Sequence, residues 1–81
     1  MRHHFSDQFV RQLEKFPAAV QEKFYKQLRF LIQNLNHPSL HAKKYDEVRN
    51  IWQARVDQNI RFYFVIEGDT YVILKVIRHP K

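Results

Sequence analysis

The sequence contains no cysteine and only one glycine, Gly68. Without cysteine the chain has no disulfides, no thiolate metal ligands and no cysteine nucleophile. A single glycine rules out the glycine-rich loops that cradle phosphates and the glycine-framed elbow that presents a catalytic serine. These absences exclude the commonest nucleotide-binding and acyl-transfer sites, and the lack of cysteine fits a reducing cytoplasm.

Long apolar runs and acidic residues are also scarce. No stretch of about 18 consecutive apolar residues occurs, and the segment Met1-Arg2-His3-His4 leads into no apolar signal region. We therefore expect a soluble, unprocessed, cytoplasmic protein. Eight Asp plus Glu against fourteen Lys plus Arg give a net charge of +6. This excess suits a polyanionic partner, either nucleic acid or an acidic protein segment.

The apolar residues that are present suffice for one small domain, residues 1–81. Seven Phe, four Tyr and one Trp occur among the 81 residues. This content is ordinary for a globular protein, so composition does not predict disorder. A chain of this length builds only a modest core, and we expect marginal stability in the absence of a partner.

Three strands are predicted between Asn50 and His79, where apolar residues alternate with polar or cationic ones. Segments 57–59 and 68–70 are rich in turn formers. If both are three-residue loops, the apolar residues of all three strands share one sheet face, whereas a two-residue loop would shift the pairing by one. The predicted cross-strand pairs are Trp52 with Phe64, Ala54 with Phe62, Phe64 with Leu74, Phe62 with Val76, Arg55 with Arg61, Gln53 with Tyr63, Tyr63 with Lys75, and Asn59 with His79.

Two helices are predicted ahead of these strands. Ser6 is suited to cap the first helix, which ends at Phe16. Pro17 opens a longer second helix, in which apolar residues recur at spacings of three and four. Segments 1–5 and 40–48 are each long enough for a further short strand. The predicted fold is α+β, with two N-terminal helices on one face of a twisted, mainly antiparallel sheet of three to four strands, and with Trp52 buried beneath the second helix.

The pairing of Arg55 with Arg61 is unusual, because directly opposed like charges on neighbouring strands are destabilising by up to about 1 kcal/mol. One interpretation is that an anion belongs between them. A phosphate suits this position because guanidinium groups match its oxygens bidentately. The other interpretation is that Asp46, Glu47 or solvent relieves the pair on an ordinary polar sheet face.

The histidines do not predict a metal site. His37 and His41 have the spacing of a helical zinc site, but Pro38 lies between them in a loop. We therefore expect neither a metal nor a cofactor. The remaining residues whose side chains could bind or transform a substrate lie on or near the polar sheet face. They are Arg55, Arg61, Lys75, His79, Tyr63, Lys43, Lys44 and Glu47.

Such a set can cleave RNA without a metal, because the nucleophile is the substrate's own 2′-hydroxyl. The protein supplies only a base, cations for the phosphorane charge and an acid for the leaving oxygen. His79 is the candidate acid, since histidine exchanges protons near neutral pH, and its neutral form could act as the base instead. Tyr63 or Tyr71 could hold a splayed base by stacking, although tyrosine is also simply common in strands.

Several segments occur in a recognisable order. They are His37-Pro38-Ser39-Leu40, Lys43-Lys44, Ile51-Trp52-Gln53-Ala54-Arg55-Val56, Ile60-Arg61-Phe62-Tyr63-Phe64 and Val76-Ile77-Arg78-His79. Together they resemble the RelE/ParE superfamily of toxins from type II toxin-antitoxin modules, over nearly the whole chain. The resemblance implies two helices against a twisted antiparallel sheet and an acidic antitoxin that covers the basic face. RelE-type members cut messenger RNA in the ribosomal A site by 2′-hydroxyl attack, whereas ParE-type members poison DNA gyrase.

The resemblance also carries over to individual positions. Arg61 matches the family's strand arginine that holds phosphate, and His79 falls where the family has a basic residue or histidine. Lys43 and Lys44 fall in the basic segment before the central hairpin. We expect a ribosome-dependent mRNA endonuclease, with a gyrase poison or an inactive antitoxin-binding relative as alternatives. The expected site residues are Arg61, His79 and Arg55 for catalysis, and Lys43, Lys44, Tyr63 and Lys75 for substrate binding.

Overall fold

A computed structural model describes residues 1–79 and contains two α-helices and a five-stranded sheet. The elements are β1 (Arg2–Phe5), α1 (Asp7–Glu14), α2 (Ala18–Gln33), a 3-10 turn (Pro38–Leu40), β2 (Lys43–Asp46), β3 (Ile51–Arg55), β4 (Ile60–Glu67) and β5 (Thr70–Arg78). The strand order is β1-β5-β4-β3-β2, with β1 parallel to β5 and the other neighbours antiparallel. The α+β class is confirmed. Both optional strands form, so the sheet has five strands and not three or four.

Side-chain hydrogen bonds join the first helix to the last strand. The Ser6 hydroxyl accepts from the Phe9 amide at 3.1 Å, which confirms the predicted N-cap, and donates to the Leu74 carbonyl at 2.8 Å. The Gln12 side-chain oxygen accepts from the Val76 amide at 2.9 Å. Helix α1 is thereby fixed to β5 at both of its ends. Within the part of the chain that the structure describes, no helix has the length and apolarity of a membrane span.

The β3–β4 register is the predicted one, with Trp52 opposite Phe64 and Arg55 opposite Arg61. The prediction for the next turn is wrong. Glu67 pairs with Thr70, so the loop has two residues, and Gly68 adopts the left-handed φ of 60° that such a turn requires.

A β-bulge at Leu74 compensates for the shorter turn. Lys75 pairs with Tyr63 while Ile73 pairs with Phe64, which leaves Leu74 as the extra residue. The predicted pairing of Tyr63 with Lys75 is therefore kept. Beyond the bulge, Ile73 and Tyr71 take the buried positions that alternation had assigned to Leu74 and Val72.

The core lies between the helices and one face of the sheet. Phe24 of α2 packs edge-on against Phe62 of β4, with their ring centroids 5.2 Å apart, and neither side chain is exposed to solvent. Trp52 is only partly buried, contrary to expectation, because it lies on an outer strand pair and stacks on Phe64 at the margin of the core. The fully covered aromatic and aliphatic residues include Phe9, Leu31, Leu40, Phe64, Ile73 and Val76.

Candidate active site

The sheet face that points away from the helices carries the polar residues predicted from strand alternation. One cross-strand row runs from Lys43 through Gln53 and Tyr63 to Lys75. In the neighbouring row Arg55 lies opposite Arg61. At the end of the sheet the His79 amide donates to the Asn59 carbonyl at 2.7 Å, as the predicted register requires. The face therefore has its cations in adjacent rows.

A cleft of about 440 Å³ opens at the Arg55 end of this face. We call it the cationic cleft. Three of its side chains, Arg55, Arg61 and His79, are the predicted catalytic residues. Lys43 from β2, a residue predicted to bind substrate, also lines it. The described residues that line the cleft are His41, Ala42, Lys43, Gln53, Arg55, Arg61 and His79, with no carboxylate among them.

The Arg61 guanidinium is fixed by the hairpin from which it projects. One of its terminal nitrogens donates to the Asp57 carbonyl at 2.7 Å and to the Ile60 carbonyl at 3.2 Å. The Asp57 carboxylate is used elsewhere, because it accepts from the Asn59 and Ile60 amides and lies 3.9 Å from Lys23. The remaining guanidinium donors of Arg61 are thus oriented, and no carboxylate among the described residues pairs with them.

The two arginines are not neutralised by the acidic residues that the sequence suggested. Asp46 instead accepts from Arg49 at 2.8 Å. Within residues 1–79 no ion pair includes Arg55 or Arg61. Burial, and secondly the Arg55 charge, lower the pKa of the Arg61 guanidinium below its ordinary value, while the Asp57 charge acts in the opposite direction. Arginine remains charged at neutral pH even so, and an anion bound between the pair would relieve the repulsion.

His41 is a cleft residue that the sequence did not single out. It follows the 3-10 turn in the left-handed conformation, with φ 46° and ψ 42°. His41 is exposed and lines the cationic cleft. His37, its companion in the rejected metal motif, instead accepts from the Ser39 amide and stacks on Phe30. Among the described residues, no three His, Asp or Glu side chains cluster as a metal site would require.

Three of the predicted substrate-binding residues lie outside the cleft. Lys44 pairs with Trp52 on the helix side of the sheet, and its ammonium lies 5.2 Å from the indole centroid. Lys75 lies over the Tyr63 ring at 4.7 Å and lines a separate pocket. Tyr63 is only 3% exposed. Its ring is therefore covered, so the idea that it stacks directly on a base is wrong, and Tyr71 is likewise buried on the core side.

A buried glutamine holds the back of the cleft together. The Gln27 amide nitrogen of α2 donates to the Arg55 carbonyl at 2.9 Å and to the Ser39 carbonyl at 3.0 Å. Its oxygen accepts from the Ser39 hydroxyl at 2.9 Å. One side chain thus ties α2 to β3 and to the turn that precedes His41. The sequence did contain this signal, because Gln27 is a polar residue on the apolar stripe of α2.

Comparison with known proteins agrees with this architecture. A family model for the ParE toxin of the type II toxin-antitoxin system parDE matches residues 4–81. The chain is similar to one in the RelB-RelE antitoxin-toxin complex from Methanococcus jannaschii, at 23% identity and a TM-score of 0.74, over 93% of this chain and 88% of that chain. A search of curated proteins finds no match.

Two bacterial toxin structures are similar at lower identity. The YoeB/ParE toxin from Agrobacterium tumefaciens has a TM-score of 0.83 at 14% identity, over 99% of this chain and all 100% of that chain. The YoeB dimer from Staphylococcus aureus has a TM-score of 0.83 at 14% identity, over 99% and 98% of the two chains. The structural matches establish the fold, and the family model, which covers residues 4–81, establishes the family. The chain belongs to the ParE toxin family of type II toxin-antitoxin systems.

Proposed function

We propose that this toxin is a ribosome-dependent, metal-independent mRNA endonuclease. The observation that carries the proposal is the arginine pair of the cationic cleft, in which Arg55 lies opposite Arg61 and neither forms an ion pair with any residue of the range 1–79. Two imidazoles line the same cavity. A phosphodiester supplies an anion for this pair, and the imidazoles supply proton transfer. The ribosome and its mRNA are the proposed targets, which places the action of the toxin in the cytoplasm.

The proposed reaction needs only groups present in the cleft and the substrate itself. The 2′-oxygen of a nucleotide attacks the adjacent phosphorus, and the bond between phosphorus and the 5′-oxygen of the next nucleotide breaks. Arg61 and Arg55 bind the nonbridging oxygens, on which negative charge grows in the transition state. His41 accepts the proton of the 2′-hydroxyl, and His79 donates a proton to the departing 5′-oxygen. The products carry a 2′,3′-cyclic phosphate and a 5′-hydroxyl.

The proposal is tested by adding the purified toxin to ribosomes that translate a defined mRNA. We expect primer extension to reveal new 5′ ends within the translated region and end analysis to find 2′,3′-cyclic phosphates. The matched control is the same mRNA with a single 2′-deoxynucleotide at a cut site, which removes the nucleophile and must remain intact there. Uncut mRNA under translation, or cleavage at the deoxynucleotide, would contradict the proposal.

The second candidate function is poisoning of DNA gyrase, which the match to the ParE family model favours. The same toxin preparation is assayed with gyrase and supercoiled DNA for enzyme-linked double-strand breaks. Breaks together with intact mRNA would replace the nuclease proposal by the gyrase one. If neither activity is found, the remaining interpretation is an inactive relative that keeps the fold and binds an antitoxin.

We also propose that an acidic antitoxin binds and neutralises this toxin. The net charge of +6 and the cations that line the cleft of the sheet face support it. The similar chain from Methanococcus jannaschii belongs to an antitoxin-toxin complex. We expect nanomolar or tighter binding that raises the melting temperature of the toxin and weakens as salt is added. Isolation from the native host as a stable monomer, with no small acidic protein bound, would contradict this expectation.

A further inference from the structure

A second pocket lies on the same sheet face as the cationic cleft, on the other side of Tyr63. Its volume is about 390 Å³. Tyr45 of β2 and Lys75 of β5 both line it, and both contact the Tyr63 ring. We call it the tyrosine pocket. The residues that line it are Ser6, Gln8, Tyr45, Arg49, Ile51, Leu74 and Lys75.

The Tyr45 ring is exposed and firmly supported. Its side chain is 56% exposed, and its ring makes a T-shaped contact with the Tyr63 ring, with a centroid separation of 4.9 Å and an interplanar angle of 71°. Tyr63 itself is buried, its hydroxyl accepts from the side-chain amide of Gln53 at 2.8 Å, and the Lys75 ammonium lies over its ring. Because the two rings meet edge to face and more than half of Tyr45 is exposed, part of the Tyr45 ring remains available for stacking.

The backbone at Tyr45 departs from regular pairing. Lys44 pairs with Trp52 and Asp46 with Ile51, so Tyr45 is the extra residue of a β-bulge. Asp46 accepts from both the backbone amide and the side chain of Arg49, and these bonds lower the pKa of its carboxyl below the ordinary value. The Asp46–Arg49 pair holds the Arg49 guanidinium at the pocket that the exposed Tyr45 ring also lines.

The two cavities are close enough for neighbouring parts of one RNA strand. They share the open face and are separated by the buried pair of Gln53 and Tyr63. Arg61 and Tyr63 are two residues apart on β4, which corresponds to about 7 Å along a strand. A phosphate held by Arg61 therefore leaves an adjoining nucleotide within reach of Tyr45.

We propose that the tyrosine pocket binds the nucleobase next to the scissile phosphate, stacked on Tyr45 and flanked by Arg49 and Lys75. This inference rests on the nuclease function proposed above. Every base presents a π face to an aromatic ring, while Arg49 and Lys75 offer donors to acceptor atoms on a base edge. The pocket thus sets where the toxin cuts, and the cationic cleft performs the cut.

The test compares Tyr45→Ala, Tyr45→Phe and Tyr25→Ala with the wild type on mRNA-programmed ribosomes. Tyr25 is a suitable control because it is 43% exposed but lies on α2, away from the sheet face. We expect Tyr45→Ala to raise the KM for programmed ribosomes by about 5- to 100-fold with little change in kcat, because stacking binds substrate and transition state alike. We also expect its cut sites to lose base preference at one position beside the cut.

Tyr45→Phe keeps the ring and is expected to retain the wild-type KM and cut-site distribution. Tyr25→Ala is expected to leave both unchanged. If the wild type is active and Tyr45→Ala cuts at the same sites with the same KM, the inference about the tyrosine pocket is overturned while the nuclease function stands. An equal loss in Tyr45→Ala and Tyr25→Ala at matched melting temperatures would also overturn it. An inactive wild type would overturn the nuclease function and this inference together.

Discussion

Arg61→Ala is expected to lower the rate of mRNA cleavage by about 100- to 1,000-fold and to abolish growth inhibition. Arg61 is the arginine whose guanidinium is held in place, by the Asp57 and Ile60 carbonyls, and it lines the cleft beside Arg55 and His79. A preorganised cation aimed at a developing negative charge contributes far more to the rate than to binding of the uncleaved substrate. The loss is therefore expected in kcat.

The size of the expected rate loss follows from the surroundings of the Arg61 guanidinium in the free protein. Its pKa is lowered by burial and by the Arg55 charge, which means that the cation is held at some cost in the absence of an anion. A bound phosphate offsets the cost of holding the Arg61 cation. The offset is largest in the transition state, because the phosphorane carries more negative charge than the uncleaved phosphodiester. Alanine removes the effect entirely. Lysine restores the positive charge but not the planar set of donors with which a guanidinium binds phosphate bidentately. Arg61→Lys is therefore expected to recover only part of the lost rate.

Two controls separate catalysis from folding and from net charge. Arg29→Ala removes one exposed positive charge from α2 and is expected to leave cleavage unchanged. The melting temperature of Arg61→Ala is measured alongside, because the variant leaves the Asp57 and Ile60 carbonyls without their side-chain donor. Cleavage by folded Arg61→Ala at the wild-type rate would show that the scissile phosphate lies elsewhere.

Much of the sheet could be predicted because strand alternation leaves little choice of register. A one-residue slip between β3 and β4 would have buried Arg61 beside Ala54, so the charge pattern specified the pairing that the structure has. The length of the turn at Gly68 was predicted wrongly because two irregularities compensate for each other. A shorter turn and a bulge at Leu74 give the same pairing of Phe62 with Val76, and the bulge is held by a hydroxyl distant in sequence, that of Ser6.

The site was predictable where it lies on regular strands and not where it depends on loops. Arg55, Arg61 and His79 converge as the register required. His41 enters the cleft only because a left-handed residue ends the 3-10 turn, and Tyr45 takes its position from a bulge. Neither conformation follows from local propensity. The separation of Lys43 from Lys44, by contrast, was available from the sequence, since adjacent strand residues point to opposite faces.

Phe24→Ala is expected to destabilise the fold by about 3 to 5 kcal/mol, because it empties a fully buried phenyl site. Phe24 is 0% exposed and lies at the centre of an aromatic cluster, with ring centroids 4.8 Å from Phe9, 5.2 Å from Phe62 and 5.9 Å from Phe5. The cluster joins both helices to β1 and β4. Domains of this length have total stabilities of about 4 to 12 kcal/mol, so the variant is expected to be largely unfolded or close to it.

Urea unfolding followed by circular dichroism measures the effect against three comparisons. Phe24→Leu refills most of the volume and is expected to cost less than about 1.5 kcal/mol. Trp52→Ala is expected to cost less than Phe24→Ala, because the indole lies at the margin of the core and is partly exposed. Tyr25→Ala is expected to cost least, because the Tyr25 ring is 43% exposed and contacts Phe24 and Phe5 only at the edge of the cluster. If Phe24→Ala unfolds at the urea concentration of Tyr25→Ala, with an unchanged slope, then the helices do not pack on the sheet through Phe24 and the assigned core is wrong.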